Sequence, residues 1–407
     1  MRLLCVSHTA TMAGAEHSLL VLLRSLPGGV AAALACPEGE LADAARALDI
    51  DVRPISGTDL SGRLHPRHSS REAARLLRSG REVRAIARDW HADVIHANTP
   101  RAGLVSAAGG GRSPLVVHVR DSLPPGWVPG LTLSALARRG ATFVCTSRFL
   151  ADQMPKRAPA AIVANAVDAD RFDPRRISRA ESRARLRLHD GEPALALVAQ
   201  ISPHKGQSDA IRALAVVRRR HPRARLLLVG SVKFASSATR LDNHAYAAEL
   251  QGLAGDLGLR DAVSFLGERA DIPELLAAAD LVLVPSWYEP FGRIAVEAMM
   301  MRVPVIATSV GGVREVVADG VDGVVLDPKD PEAWAEAIGA LLDDPTRRRA
   351  MGEAGRRRAL EAFSPSRHAE AMVAVCQRSL DARRIAPISS HYGYSLQSSR
   401  SELRPHG

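Results

Sequence analysis

Pro285-Ser286-Trp287-Tyr288-Glu289-Pro290-Phe291-Gly292-Arg293-Ile294-Ala295-Val296-Glu297-Ala298-Met299 follows directly on the apolar run Leu281 to Val284. That order reads as strand, loop, helix, with Phe291, Gly292 and Arg293 in the first helical turn. The amides there have no intrahelical partner, and the positive end of the macrodipole lies among them, so such a turn favours an anion. Glu289 stands just before the turn and Glu297 roughly two turns into the helix. A glutamate pair at this spacing means little by itself, and its context has to supply the meaning.

Upstream, Ala199-Gln200-Ile201-Ser202-Pro203-His204-Lys205-Gly206 leaves the apolar run Ala194 to Ala199 and enters a helix expected over Gln207 to Arg219. Such a turn can present backbone amides to a phosphate while Lys205 adds a point charge. The same alternation runs through the rest of the chain. Apolar runs at Arg2 to Val6, Val94 to Ala97, Leu115 to Val119 and Thr142 to Thr146 serve the first half. Those at Ala194 to Ala199, Arg225 to Val229, Ala262 to Leu266, Leu281 to Val284 and Val303 to Ala307 serve the second.

Strands alternating with helices predict α/β architecture: two Rossmann-like, doubly wound parallel-sheet domains facing across a cleft. Ligands in such sheets lie beyond the carboxyl ends of the strands, so the cleft is where function is expected. The expected boundaries are 1–167 for the first domain, 168–193 for a linker, 194–364 for the second domain and 365–381 for a closing helix. A Ser- and Arg-rich stretch without apolar period, 382–407, reads as a disordered tail.

Bulk properties bound the function. A chain of 407 residues, 46% hydrophobic and 24% charged, has material for two folded domains. Its net charge of +10 invites a nucleic-acid partner, but nucleic-acid motifs are absent and only Lys156, Lys205, Lys233 and Lys329 are lysines among 54 cationic residues. No nucleic-acid partner is expected. Cys5, Cys36, Cys145 and Cys376 lie far apart without metal-ligand spacing, which suits reduced thiols in a cytoplasm. The apolar run Leu3 to Val6 is too short for a leader or a membrane span, so a cytoplasmic protein is expected.

Three features of the first half bear on chemistry. Thr11-Met12-Ala13-Gly14-Ala15-Glu16 lies between strand and helix, where small residues let backbone approach a ligand. Val117-His118-Val119-Arg120-Asp121 closes a strand, and Ile95-His96-Ala97-Asn98-Thr99 another. In a helix expected from Pro66 to Trp90, Arg67, Arg71, Arg75, Arg78, Arg81, Arg84 and Arg88 recur at spacings of three or four and share one face. A solvated face is the plainer reading of these arginines. Docking on an anionic membrane is the sharper one, with roughly 1 kcal/mol per basic residue near the surface.

The run from Pro285 to Met299, together with Arg302-Val303-Pro304-Val305-Ile306-Ala307-Thr308 and Gly311-Gly312, resembles the signature of glycosyltransferase family 4, a retaining family of GT-B fold. The resemblance covers the chain to about residue 380, most strongly in its second half. It implies transfer of a hexosyl group from a nucleotide-diphosphate sugar to an acceptor hydroxyl, with no cofactor and no metal. Under it Glu289 orients the sugar, Glu297 holds the ribose, and the helix start at Phe291, Gly292, Arg293 and Ile294 binds the donor. Lys205 and the Gly14 turn serve the diphosphate, and Arg269 approaches the nucleobase. His118 matches a histidine near the anomeric carbon, and His96 and Asn98 are acceptor-side candidates. The family more often has Gly-Arg where Ala199 and Gln200 stand. Gln200 can donate hydrogen bonds but brings no charge, which leaves more of the leaving group to Lys205. The closing helix resembles the one that returns to the first domain in GT-B proteins.

Two rivals remain: a nucleotide-sugar 2-epimerase of the same architecture, and a basic protein that binds nucleic acid or another anionic polymer. A dinucleotide dehydrogenase is disfavoured, because no G-x-G-x-x-G follows a strand. Sugar, base and acceptor are not legible.

Overall fold

The computed structural model describes residues 1–58, 66–111, 113–122, 127–232 and 243–385. The first sheet holds β1 (Arg2–Val6), β2 (Ala31–Cys36), β3 (Asp51–Pro54), β4 (Val94–Ala97), β5 (Leu115–Val119), β6 (Thr142–Cys145) and β7 (Ala160–Ile162), in the order β3-β2-β1-β4-β5-β6-β7. The second holds β8 (Ala194–Val198), β9 (Arg225–Val229), β10 (Val263–Phe265), β11 (Leu281–Val284), β12 (Val305–Thr308) and β13 (Gly323–Leu326), in the order β10-β9-β8-β11-β12-β13. The pairings within both sheets are parallel. The chain thus has the two doubly wound sheets that its sequence predicts, in the GT-B arrangement.

The central strands feed two apolar layers, as a sheet covered on both faces requires. In the second domain Leu195, Leu197, Leu281 and Leu283 point into one layer, while Ala196, Val282 and Val284 point into the other. The order of strands reverses between β1 and β4 and again between β8 and β11. At such a switch point the loops leaving neighbouring strands part to opposite sides and open a crevice. The loops that follow β1, β8 and β11 are those that carry Gly14, Lys205 and Glu289.

The segment expected to be a linker is docked. It contains the helix Arg179–Arg185, and Arg179 and Arg183 donate to the carbonyls of Ala277, Ala278 and Ala279 at 2.7–3.1 Å. Those carbonyls close the helix Ile272–Ala278, whose last turn has no intrahelical donors. The final helix, Pro365–Ile385, crosses back to the first domain, burying Ala369, Met372, Val375 and Cys376 against Leu3, Leu19, Leu34 and Val116. It runs past the expected start of a disordered tail at 382; residues 386–407 lie outside the described set. All four cysteines are free and buried. No helix among the described residues is long and apolar enough to cross a membrane.

Candidate functional site

A cavity of about 360 Å³ opens at the second switch point, between the carboxyl ends of β8 and β11. Eight of the predicted donor-side residues line it: Gly14 from the first domain, Gln200, Lys205 and Glu289 from loops, and Gly292, Arg293, Ile294 and Glu297 from the helix Arg293–Met300.

Glu289 is anchored at both carboxylate oxygens. Lys205 Nζ donates to Oε2 at 2.8 Å, Ser286 Oγ donates to Oε2 at 3.2 Å, and the Gly292 amide donates to Oε1 at 3.1 Å. Its backbone is fixed from the next loop, where the Gly312 amide donates to the Glu289 carbonyl at 2.8 Å. Gly311, at φ +92°, passes so close that a Cβ would stand 2.2 Å from that carbonyl oxygen. Lys205 arrives through an equally tight crossing. Gly206 has φ +70°, and a Cβ there would stand 2.1 Å from the Pro285 carbonyl oxygen. A side chain at either position would push the two loops apart and separate Lys205 from Glu289. Glycine is therefore required by both space and backbone conformation.

The helix that follows begins at Gly292 without a side-chain cap. Its first amides and its dipole end consequently face the cavity, an arrangement suited to a negatively charged ligand. Arg293 Nε lies 2.8 Å from Glu297 Oε1, one turn along the same helix.

The first domain closes over this site through main-chain contacts. Ser147 Oγ donates to the Pro290 carbonyl at 2.7 Å, and the amides of Arg148 and Phe149 donate to the Glu315 carboxylate at 2.9 and 3.0 Å. The Gly14 turn is braced from behind. Asn98 Nδ2 donates to the Ala15 carbonyl at 3.3 Å and to Glu16 Oε1 at 3.4 Å, and Arg120 Nη1 donates to the Asn98 carbonyl and side-chain oxygens at 2.5 and 2.7 Å. Burial draws the Arg120 guanidinium down to about 9, against the favourable charge of Glu16.

Several predicted residues stand elsewhere. His118 was expected beside the reacting carbon, yet it is wholly buried. It pairs with Val144 inside β5, the strand that the apolar run Leu115 to Val119 predicts. Its ring lies 5.6 Å from that of His96 and 6.1 Å from that of His368 on the final helix. His96 and Asn98 are also fully buried, so neither touches an acceptor in this conformation. Phe291 packs inward on Phe363, with ring centroids 5.9 Å apart, and offers the cavity no side chain. Arg269 lies outside the cavity lining and is held by Asp271, whose Oδ1 accepts from its Nε at 2.8 Å.

The residue of the first domain that does meet the site's charges is Asp121, just past the end of β5. Asp121 is exposed at the surface as a whole, yet desolvation around its carboxyl raises it, the positive charge of Lys205 opposes that rise, and the negative charge of Glu289 adds to it. The signal was in the sequence: side chains that follow a parallel strand project into the cleft, and those within it do not.

A larger space, about 490 Å³, lies beside the docked segment, lined by Arg179, Arg183, Asp280 and Arg348. Arg179 and Arg183 are committed to carbonyls, and all three arginines surround Asp280. Their arrangement is that of a structural tie.

Residues 178–358 match the family model described as glycosyl transferases group 1, and residues 12–171 match that described as glycosyltransferase family 4. Similar curated proteins include the D-inositol 3-phosphate glycosyltransferase of Salinispora arenicola, 38% identical over 49% of this chain and 45% of that protein. That of Frankia alni is 33% identical over 68% of this chain and 67% of its own length. The chain spans less than half the length of the first of these relatives. Among solved structures, Anabaena HepE in complex with UDP is similar at a TM-score of 0.75, with 25% identity over 93% of this chain and 100% of that one. Its complex with UDP-glucose gives 0.74, with the same identity and coverage.

Proposed function

The chain belongs to glycosyltransferase family 4, and from that premise we propose that it transfers a hexosyl group from a nucleotide-diphosphate sugar to an acceptor hydroxyl, with retention of anomeric configuration and without a metal ion. The observation that carries this reading is the convergence of Lys205, Glu289, Glu297 and the open start of one helix on a single cavity, with Gly14 of the other domain facing them. The solved Anabaena relative, bound to UDP and to UDP-glucose, supports a uridine donor.

In this reading the bond between the anomeric carbon and the diphosphate oxygen breaks, the acceptor oxygen bonds to that carbon on the same face and gives its proton to the departing diphosphate, and negative charge builds on the nucleotide as it leaves. Lys205 and the first amides of the helix Arg293–Met300 stabilise that charge as a preorganised cation and dipole. Glu289 accepts hydrogen bonds from sugar hydroxyls, and Glu297 accepts from the ribose. Asp121, from the first domain, lies within electrostatic reach of Lys205 and Glu289 and is the candidate for the acceptor side.

The test is incubation with a panel of nucleotide sugars, first alone and then with candidate acceptors, in the presence of a chelator. Nucleoside diphosphate released slowly alone and faster with an acceptor supports transfer. Epimerised donor without transfer makes the protein an epimerase.

The exposed arginines of the helix Pro66–Asp89 support a peripheral contact with anionic lipid. Arg75, Arg78 and Arg88 are partly offset by Glu72, Glu82 and Asp89 at 2.9–3.1 Å, while Arg81 and Arg84 add to the exposed face. The side chains of Arg67 and Arg71 lie outside the described residues. Failure of acidic liposomes to retain the protein at low salt removes this contact.

A further inference from the structure

Two ion pairs of the same form flank the cavity. Lys205 Nζ meets Glu289 Oε2 at 2.8 Å, and Arg293 Nε meets Glu297 Oε1 at 2.8 Å. These four residues are the cavity's only charged lining among the described residues. Glu297 and Glu289 are the more buried members, with side chains 8% and 13% exposed, against 22% for Lys205 and 38% for Arg293. The carboxylates are thus fixed, and the cations are the members with freedom to turn.

Arg293 also reaches the other domain. Its Nη1 lies 3.4 Å from the Gly14 carbonyl, and a Cβ on Gly14 would stand 3.9 Å from the same nitrogen. The guanidinium therefore occupies the gap between the Gly14 turn and the uncapped helix start, which is the gap a diphosphate would enter. A diphosphate ester carries more than one negative charge, and the loop after β8 offers one cation, because position 200 is Gln.

We propose that Arg293 is the second cation of the donor site. When a nucleoside diphosphate enters, the guanidinium turns from Glu297 to the phosphate oxygens, which its planar fork fits in two-point contact. Glu297 is thereby released to accept from the ribose, as Glu289 is released to the sugar when Lys205 turns. The empty site is held in register by ion pairs that the ligand replaces one for one. This inference rests on the donor-site reading above and adds to it a ligand role for a side chain whose position was expected to contribute backbone.

The test is calorimetric titration of UDP, ADP and GDP, each with its parent nucleoside as control, into the full chain and into Arg293→Leu. Wild type is expected to bind one of the diphosphates, and Arg293→Leu to bind it roughly 10- to 100-fold more weakly, as loss of a charge-assisted pair predicts. The salt dependence should flatten in parallel. Arg293→Gln, which retains a donor for Glu297 and Gly14, serves if the leucine variant does not fold, and the same loss is expected of it. Diphosphate affinity equal to wild type in either folded variant overturns the role of Arg293 while leaving the donor site standing. Absence of binding to all three diphosphates by wild type defeats the donor-site reading itself.

Discussion

Lys205 and Glu289 hold each other at 2.8 Å, come from loops after different strands, and have no independent reason to meet. In the proposed reaction each acts on charge or hydroxyl groups of the donor, so each truncation removes a transition-state contact. Lys205→Ala and Glu289→Ala are each expected to lower kcat by about 100-fold or more, the range seen when a preorganised donor is lost. Circular dichroism should still report a folded chain, and wild-type turnover in both variants would count against the mechanism. These residues were legible because proline, glycine and aromatic neighbours marked their loops, and because lysine is scarce in the chain. His118 lies inside the strand that the apolar run Leu115 to Val119 predicts, and its ring is buried there. Three residues later, Asp121 stands just past the end of β5.

At the scale of elements, the loop pair after β8 and β11 depends on a left-handed glycine. Gly206→Ala places a side chain at φ +70° and against the Pro285 carbonyl. A loss of about 1–3 kcal/mol is expected, readable as a lower denaturant midpoint, together with weaker donor binding as Lys205 is displaced. A stability no lower than wild type would mean that the crossing is not under this constraint.

The joint between the final helix and the first sheet encloses His96, His118 and His368, and burial lowers all three. His96 falls to about 3 and His368 to about 4, from an ordinary value of 6.5, with the Arg120 charge pushing the same way. The unfolded chain therefore binds more protons than the folded one as pH drops below 6.5. Stability is complete above that value and declines toward about pH 4. Melting temperatures across this window check the sign, and His118→Leu should flatten the slope. Equal slopes in the two proteins would refute the assignment.

Strand content was only partly legible. β2 is built largely of alanine, a helix former, and β3, β7 and β13 are short strands near the sheet edges whose few residues carry little apolar pattern. Central strands such as β5 and β11 announced themselves by composition, because both of their faces are buried. The docking of the helix Arg179–Arg185 had no local signal, since it depends on carbonyls about 100 positions away in the chain.

The whole molecule places its site where two sheets present their switch points to each other, one contributing Gly14 and Asp121, the other the lysine, the glutamates and the helix start. Neither domain alone contains the set. A crystal structure of the full chain soaked with the nucleotide sugar that stabilises it most tests this directly. The pyrophosphate is expected between Lys205 and the start of the helix Arg293–Met300, with the ribose at Glu297 and the sugar at Glu289. A nucleotide bound instead in the space around Asp280, or anywhere that leaves both ion pairs intact and the cavity empty, would contradict that placement.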